Sequence, residues 1–263
     1  MRRHGRAAVR GGALGALIVA LAMPGAGAAQ PRYGQPIYPA YQGFVQNPDG
    51  SVTMVFQYFS HGRDPVTVPV GSRNRFTGES DRNQPTTFLP GNHEFVCVLV
   101  VEDREAAKAL RWTIAFPDDP SETSLDPLNP EYMLTEQGQE EAHRALDPAT
   151  APRGVCLNKP PKVRTRPRAL GAAAERVASP LEATVGEPLA LAGSAEDEGL
   201  PRGSALAVTW RQTSGPGTAV FTEPGSAATT VTFDAAGSYE LELLASDGEL
   251  EASERVEVVV AGG

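Results

Sequence analysis

The sequence predicts an all-β chain built from two antiparallel β-sandwich domains joined by a proline-rich basic linker. Three observations in Leu206–Gly248 carry the prediction. First, polarity alternates with period two. Leu206, Val208 and Trp210 face opposite to Ala207, Thr209 and Arg211. Val231 and Phe233 alternate with Thr230 and Thr232, and Tyr239, Leu241, Leu243 and Ala245 alternate with Glu240, Glu242, Leu244 and Ser246. That is the pattern of half-buried antiparallel strands, since a helix would turn one of the two glutamates inward. Second, Ser214-Gly-Pro-Gly217 is a turn signal between such runs. Third, Tyr239 follows Gly237-Ser238 at the start of the longest strand. From there its hydroxyl can return to nearby backbone and lock a sandwich corner.

Residues 1–28 read as a signal peptide: Arg2, Arg3, Arg6 and Arg10 precede an apolar run from Ala13 to Met23, and Ala26-Gly-Ala28 supplies small residues for cleavage. The run is too short to span a bilayer. No other segment is long and apolar enough to cross a membrane, so no transmembrane segment is expected after cleavage. An anchoring helix is the alternative. Residues 29–40, rich in Gln, Pro and Tyr, read as an extended N-terminal segment.

Residues 41–157 read as a β-rich domain of no familiar type. Tyr41–Gln46 and Ser51–Ser60 flank Asn47-Pro-Asp-Gly50, a hairpin signal. Pro65–Val70 suits an edge strand, and Arg73–Thr87 reads as a long polar loop. His93–Val101 is almost continuously apolar. Glu102–Ala109 reads as a helical turn or tight loop, and Leu110–Phe116 alternates again. Pro117–Pro130 reads as a loop. Thr135–Leu146 is the best helix candidate, with Thr135 as N-cap and acids in its first turns. Residues 158–171 are the linker. Lys159, Lys162, Arg164, Arg166 and Arg168 lie among prolines that favour a semi-rigid extended spacer. Either these charges are simply solvated or they dock on an acidic surface. Residues 172–261 form the second domain, from strands at Leu181–Val185 and Leu189–Leu191 to a closing strand at Val256–Val260.

Trp210, Gly215-Pro216-Gly217, the Gly-Ser-Tyr-Glu-Leu around Tyr239, and Ser246-Asp247-Gly248 together resemble a PKD-type immunoglobulin-like domain, in the variant with W-x-x-x-S-G-P-G found in REJ-related repeats. The resemblance covers about residues 172–260. It departs from the commoner W-D-F-G-D-G signature because Arg211 follows the tryptophan. It implies an immunoglobulin-like sandwich used for spacing or binding in secreted and surface proteins, and it implies no enzyme. Tyr-x-Gly and Asn-Pro-Asp-Gly-Ser in the first domain resemble the leading segment of certain secreted bacterial proteins, a resemblance that carries no activity.

Charge narrows the partners. Residues 29–157 hold 10 basic and 17 acidic groups, and residues 171–263 hold 4 and 15. An acidic body argues against nucleic acid, whose phosphates need a Lys/Arg surface. Cys97 and Cys156 are the only cysteines. In an oxidising compartment a disulfide is favoured, which would tie the end of the first domain to its core; the alternative is two buried thiols.

Immunoglobulin-like topology puts the B–C and F–G loops at one end. The first carries Glu196, Asp197 and Glu198, the second Asp247 and Glu249. Calcium is the one cofactor such a set suggests. The simpler reading is that Asp247 caps its own turn while the glutamates face water. His61, His93 and His143 show no metal spacing. Tyr33, Tyr38, Tyr41, Phe44, Tyr58 and Phe59 crowd the first half and are either core or a face that stacks on sugars. No nucleophile elbow, Walker loop, zincin or Rossmann motif is present. The function expected is that of a secreted or periplasmic, non-catalytic binding, adhesion or spacer protein, its ligand a surface polysaccharide or a protein partner. The alternatives are a hydrolase with its site in residues 41–157, or a structural part of an envelope assembly.

Overall fold

The computed structural model describes residues 34–118, 120–166 and 179–263. The signal peptide expected at 1–28 lies outside them. The chain is nearly all β, with antiparallel sheets and immunoglobulin-like sandwich architecture.

The first domain starts earlier than the sequence suggests. Strand β1 runs Ile37–Gln46, so the segment expected to be merely extended already enters the sheet. It pairs with β2 (Val52–Ser60) around the Asn47–Gly50 turn, where Asp49 accepts hydrogen bonds from the Ser51 amide and hydroxyl. Strands β3 (Val66–Thr67) and β5 (Thr87–Phe88) form a small ribbon. Strand β6 (Gly91–Val101) pairs with β2, giving a β1-β2-β6 sheet. Helix α1 (Arg104–Ala109), capped by Asp103, leads into β7 (Trp112–Ala115). This strand is flanked by β4 (Asn74–Phe76) and β8 (Pro120–Glu122). Helix α2 (Glu136–Ala142) begins at the expected N-cap, Thr135.

The stretch Arg73–Thr87 is not only a loop. It contributes β4, and its polar Asn74 is fully buried. Between the layers lie Phe56, Phe76, Trp112, Ile114 and Leu99. On the other face of β2 and β6, Val55 and Val98 pack against Ala142 of α2. Burial on both faces explains why His93–Val101 is apolar almost throughout. Cys97 and Cys156 are bonded, with their Cα atoms 4.8 Å apart.

Where a spacer is expected, residues 158–166 are packed instead. Lys162–Arg164 form β9, antiparallel to β12 (Ser194–Glu196) of the second domain. Lys159, only 3% exposed, donates from Nζ to the Glu141 carbonyl at 3.0 Å. Lys159 and Lys162 approach Glu141 Oε1 at 3.6 and 2.9 Å, and both lie over the Phe95 ring. Lys159 and Lys162 therefore dock on an acid of the first domain, whereas Arg164 meets Glu196 and Arg166 the Ser179 carbonyl of the second, and Arg168 lies outside the described residues.

Burial alone would raise the Glu141 carboxyl. The hydrogen bond and charge of Lys162, with Lys159 and Arg144, outweigh it and hold the group below its ordinary value. A carboxylate depressed in the fold stabilises above its ordinary pKa and loses that contribution as pH falls through the folded-state value. Glu141→Gln is therefore expected to cost about 1–3 kcal/mol at neutral pH, read as the urea midpoint. The gap to the parent should narrow as pH falls below the ordinary glutamate range and close once the parent carboxyl is neutral too. An undiminished gap in acid would refute the ionic account.

The second domain is a two-layer sandwich. One sheet runs in the order β10 (Leu181–Thr184), β17 (Glu251–Ala261), β16 (Gly237–Ser246), β13 (Ala207–Ser214). The other runs β11 (Leu189–Ala192), β15 (Ala228–Phe233), β14 (Ala219–Phe221). All pairs are antiparallel except β10 with β17. Tyr239, Leu241 and Leu243 meet Val256, Val258, Val260, Val231 and Phe233 in the core, as the alternation requires. Glu242, on the opposite face of β16, is covered by ion pairs to Arg211 and Arg255 from the flanking strands.

The two domains share more than the β9–β12 pair. Leu200, in the loop between β12 and β13, is buried within the first domain's core cluster. Arg202 pairs with Asp81 at 3.1 Å.

Candidate functional site

The residues that define the second fold act together. Trp210 is buried, its indole N–H donating to the Ala227 carbonyl at 2.9 Å, and its ring stacks near Phe221. The Tyr239 hydroxyl donates to the Ala235 carbonyl at 2.9 Å, the corner bond expected from its position. The Gly-Pro-Gly turn lies on that tyrosine. A Cβ at Gly215, where φ is +151°, would sit 2.3 Å from Tyr239 Cδ1, and one at Gly217 would sit 2.1 Å from Asp234 Oδ1. Pro216 lies over Gly237, whose Cβ would come 2.8 Å from its ring. Gly248 takes φ +97° in the turn that Asp247 holds.

The loops bearing carboxylates do come together, although not as one set of five. Asp247 is 1% exposed. Its Oδ1 accepts from the amides of Glu249 and Leu250, both at 2.7 Å. Asp197 Oδ1 accepts from the Gly199 amide at 2.8 Å. Burial raises the Asp197 carboxyl, and the charge of Asp247 raises it further against the lowering effect of nearby amides. Glu198 is pushed up to about 7, first by burial and then by the Asp197 charge. Its Oε1 accepts from the Lys159 amide at 2.6 Å. Glu249 is exposed and accepts from the Asn158 side-chain amide at 3.2 Å. Glu196 stands apart: it lies on β12, exposed, 3.8 Å from Arg164. Asn158, unremarkable in the sequence, thus bonds Glu249 of one loop, and the amide of the next residue, Lys159, bonds Glu198 of the other. Spacing in the chain could not mark it, because Glu249, 91 positions on, reaches it only through the tertiary fold.

The other expected residues scatter. His143 Nε2 lies 3.0 Å from Thr53 Oγ1, His93 stacks on Tyr58, and the His61 ring packs against Tyr38 and Phe59 while its amide donates to the Pro36 carbonyl. Of the aromatics, Tyr41, Phe44 and Tyr58 are core, and Tyr33 lies outside the described residues. Tyr38 and Phe59 are 43% and 40% exposed. They are cross-strand partners on β1 and β2, and each ring meets His61, at 5.6 and 4.6 Å.

Residues 180–260 match the family of K319L-like PKD domains. The C-terminal part of this chain is a PKD-type domain. Among solved structures, the chain is similar to the PKD domain from KIAA 1837 protein, with 24% identity over 32% of this chain and 83% of that one, TM-score 0.24. It is also similar to Titin-A168169, with 11% identity over 87% and 97%, TM-score 0.27. Drosophila N-cadherin EC1-3 is 10% identical over 86% and 68%, TM-score 0.29. The PKD-type assignment rests on the family match together with the strand order, Trp210 and the Tyr239 corner. Such a domain, with the disulfide, fits a secreted or extracellular protein. Among the described residues no helix is long and apolar enough to cross a membrane.

Proposed function

We propose that this protein is an exported, non-catalytic adhesion or spacer module that holds a surface polysaccharide against its first domain. The carrying observation is the Tyr38–Phe59–His61 cluster, a ledge of rings left on the surface of a hairpin whose other aromatics are core. Rings presented in this way stack on the apolar faces of sugars. The PKD-type domain supports the reading as a rigid support, because residues 158–166 and Leu200 join it to the first domain. The leader-like residues 1–28, the disulfide and the acidic surface all suit work outside the cytoplasm, in the periplasm or beyond the cell.

The test is co-sedimentation of the chain with cell-wall sacculi and a panel of insoluble polysaccharides. The chain should pellet with at least one polymer, and Tyr38→Ala with Phe59→Ala should weaken that retention by about tenfold. Failure to pellet with any of them removes polysaccharide and leaves a protein partner as the ligand class. Retention unchanged by the double variant moves the contact off the hairpin.

A further inference from the structure

We infer that Asn158, Asp197 and Asp247 hold a calcium ion at the junction of the two domains. Acids alone do not make the case: among the described residues no three His, Cys, Asp or Glu side chains form a metal group. The case comes from unused oxygens. Asp247 Oδ2 has no hydrogen-bond partner, although the residue is almost wholly buried. Asp197 Oδ2 and Asn158 Oδ1 are likewise buried and unpartnered. In each aspartate the other oxygen serves its own loop, at Gly199 and at Glu249 and Leu250. In Asn158 the amide nitrogen is taken by Glu249. Three acceptors are thereby spared on three neighbouring segments: Asn158 bonds Glu249, two residues beyond Asp247, and the Asp247 charge acts on Asp197.

Buried acceptors without donors are costly, and two facing carboxylates repel. A hard dication answers both problems, because calcium takes six to eight oxygens from carboxylates, amide carbonyls, backbone and water. Among the described residues no cation is ion-paired to these oxygens: Lys159 turns its Nζ to Glu141, and Arg144, whose charge reaches Asp197, bonds Glu141 and the Pro160 carbonyl instead. Bound calcium would clamp the Asp197 loop and the Asp247 turn to the end of the first domain, making the junction calcium-dependent. This holds whether or not the aromatic ledge binds polysaccharide, so the two tests fail separately.

The experiment is calorimetric titration of the purified chain with calcium chloride, and with magnesium chloride for comparison, beside thermal unfolding in calcium and in chelator. Half-saturation is expected on the order of 0.1–1 mM, the range of extracellular calcium modules, with an unfolding midpoint several degrees higher in calcium. Asp197→Asn and Asp247→Asn keep the oxygen that caps each turn, so both should fold. In chelator they should melt at or above the parent because the repulsion is gone. Each should weaken calcium binding by about tenfold or more, while Glu196→Gln leaves it unchanged. An unmoved midpoint without heat at about 10 mM calcium, well above that range, overturns the assignment. Equal binding by parent and both variants also overturns it, as does a response to magnesium alone.

Discussion

Replacing Cys97 and Cys156 together by alanine is expected to lower stability by about 4 kcal/mol. The bond closes a loop with a sequence separation of 59. In the chain-entropy account its main effect is to restrict the unfolded chain. For a chain of this size that corresponds to a fall in melting temperature of about 8–16 °C. The native state adds to the effect. Both cysteines are buried, and the segment after Gly154 is laid along β6 by the Gly154 amide on the Val100 carbonyl at 2.7 Å and the Leu157 amide on the Val98 carbonyl at 2.9 Å. Asn83 reaches the Cys156 carbonyl from the opposite side. Because Asn158 and Lys159 follow directly, loosening this segment should also loosen the hold on the second domain. Thermal unfolding of the parent, with and without reductant, and of the double variant measures it. A midpoint within about 3 °C of the oxidised parent would show that backbone pairing holds the segment without the bond.

Asn74→Ala is expected to cost about 3–6 kcal/mol, close to or beyond the disulfide. The side chain is wholly buried and uses every hydrogen-bonding direction the site offers. Its Nδ2 donates to the carbonyls of Val68 and Pro85 at 3.0 and 2.8 Å, and its Oδ1 accepts from the Trp112 indole N–H at 2.9 Å. Truncation strands two buried carbonyls and one buried N–H. Each such orphan costs about 1–3 kcal/mol, with a cavity beside Trp112 in addition. Urea unfolding gives the number, and Trp112 gives a fluorescence signal from the site itself. A loss under about 1 kcal/mol would mean that water replaces the lost partners.

Asn74 also shows where reading along the chain stops. Within Arg73–Thr87 nothing local distinguishes it from a solvated loop residue. Its donor, Trp112, is 38 positions away in sequence, so only the folded arrangement makes the asparagine a core residue. Lys162–Arg164 follow the same rule. Flanking prolines and positive charge describe a spacer until β12 supplies the edge on which they pair, from Ser194 opposite Arg164 to Glu196 opposite Lys162. Leu200 is a single apolar residue in a polar loop, a pattern without period, and its burial depends on a surface that the first domain presents.

The chain alone made legible the all-β class, strands β10, β11, β13, β15, β16 and β17 with their inward faces, the Tyr239 corner over the Gly-Pro-Gly turn, and the capped start of α2, though not β12 or β14. These depend on neighbours within a few positions, where side-chain period and backbone conformation leave few options. It also brought the loops of Asp197 and Asp247 near one another, because sandwich topology follows from strand order, while Glu196 lies on β12 beside Arg164. Tertiary contacts are what join the domains through the β9–β12 pair and Leu200, leave Tyr38 and Phe59 exposed while Tyr41 and Tyr58 are buried, and set Asn158 beside Glu249. Each of those outcomes depends on which surface meets which across long separations in the chain. Contacts of that kind leave no periodic trace in a single sequence.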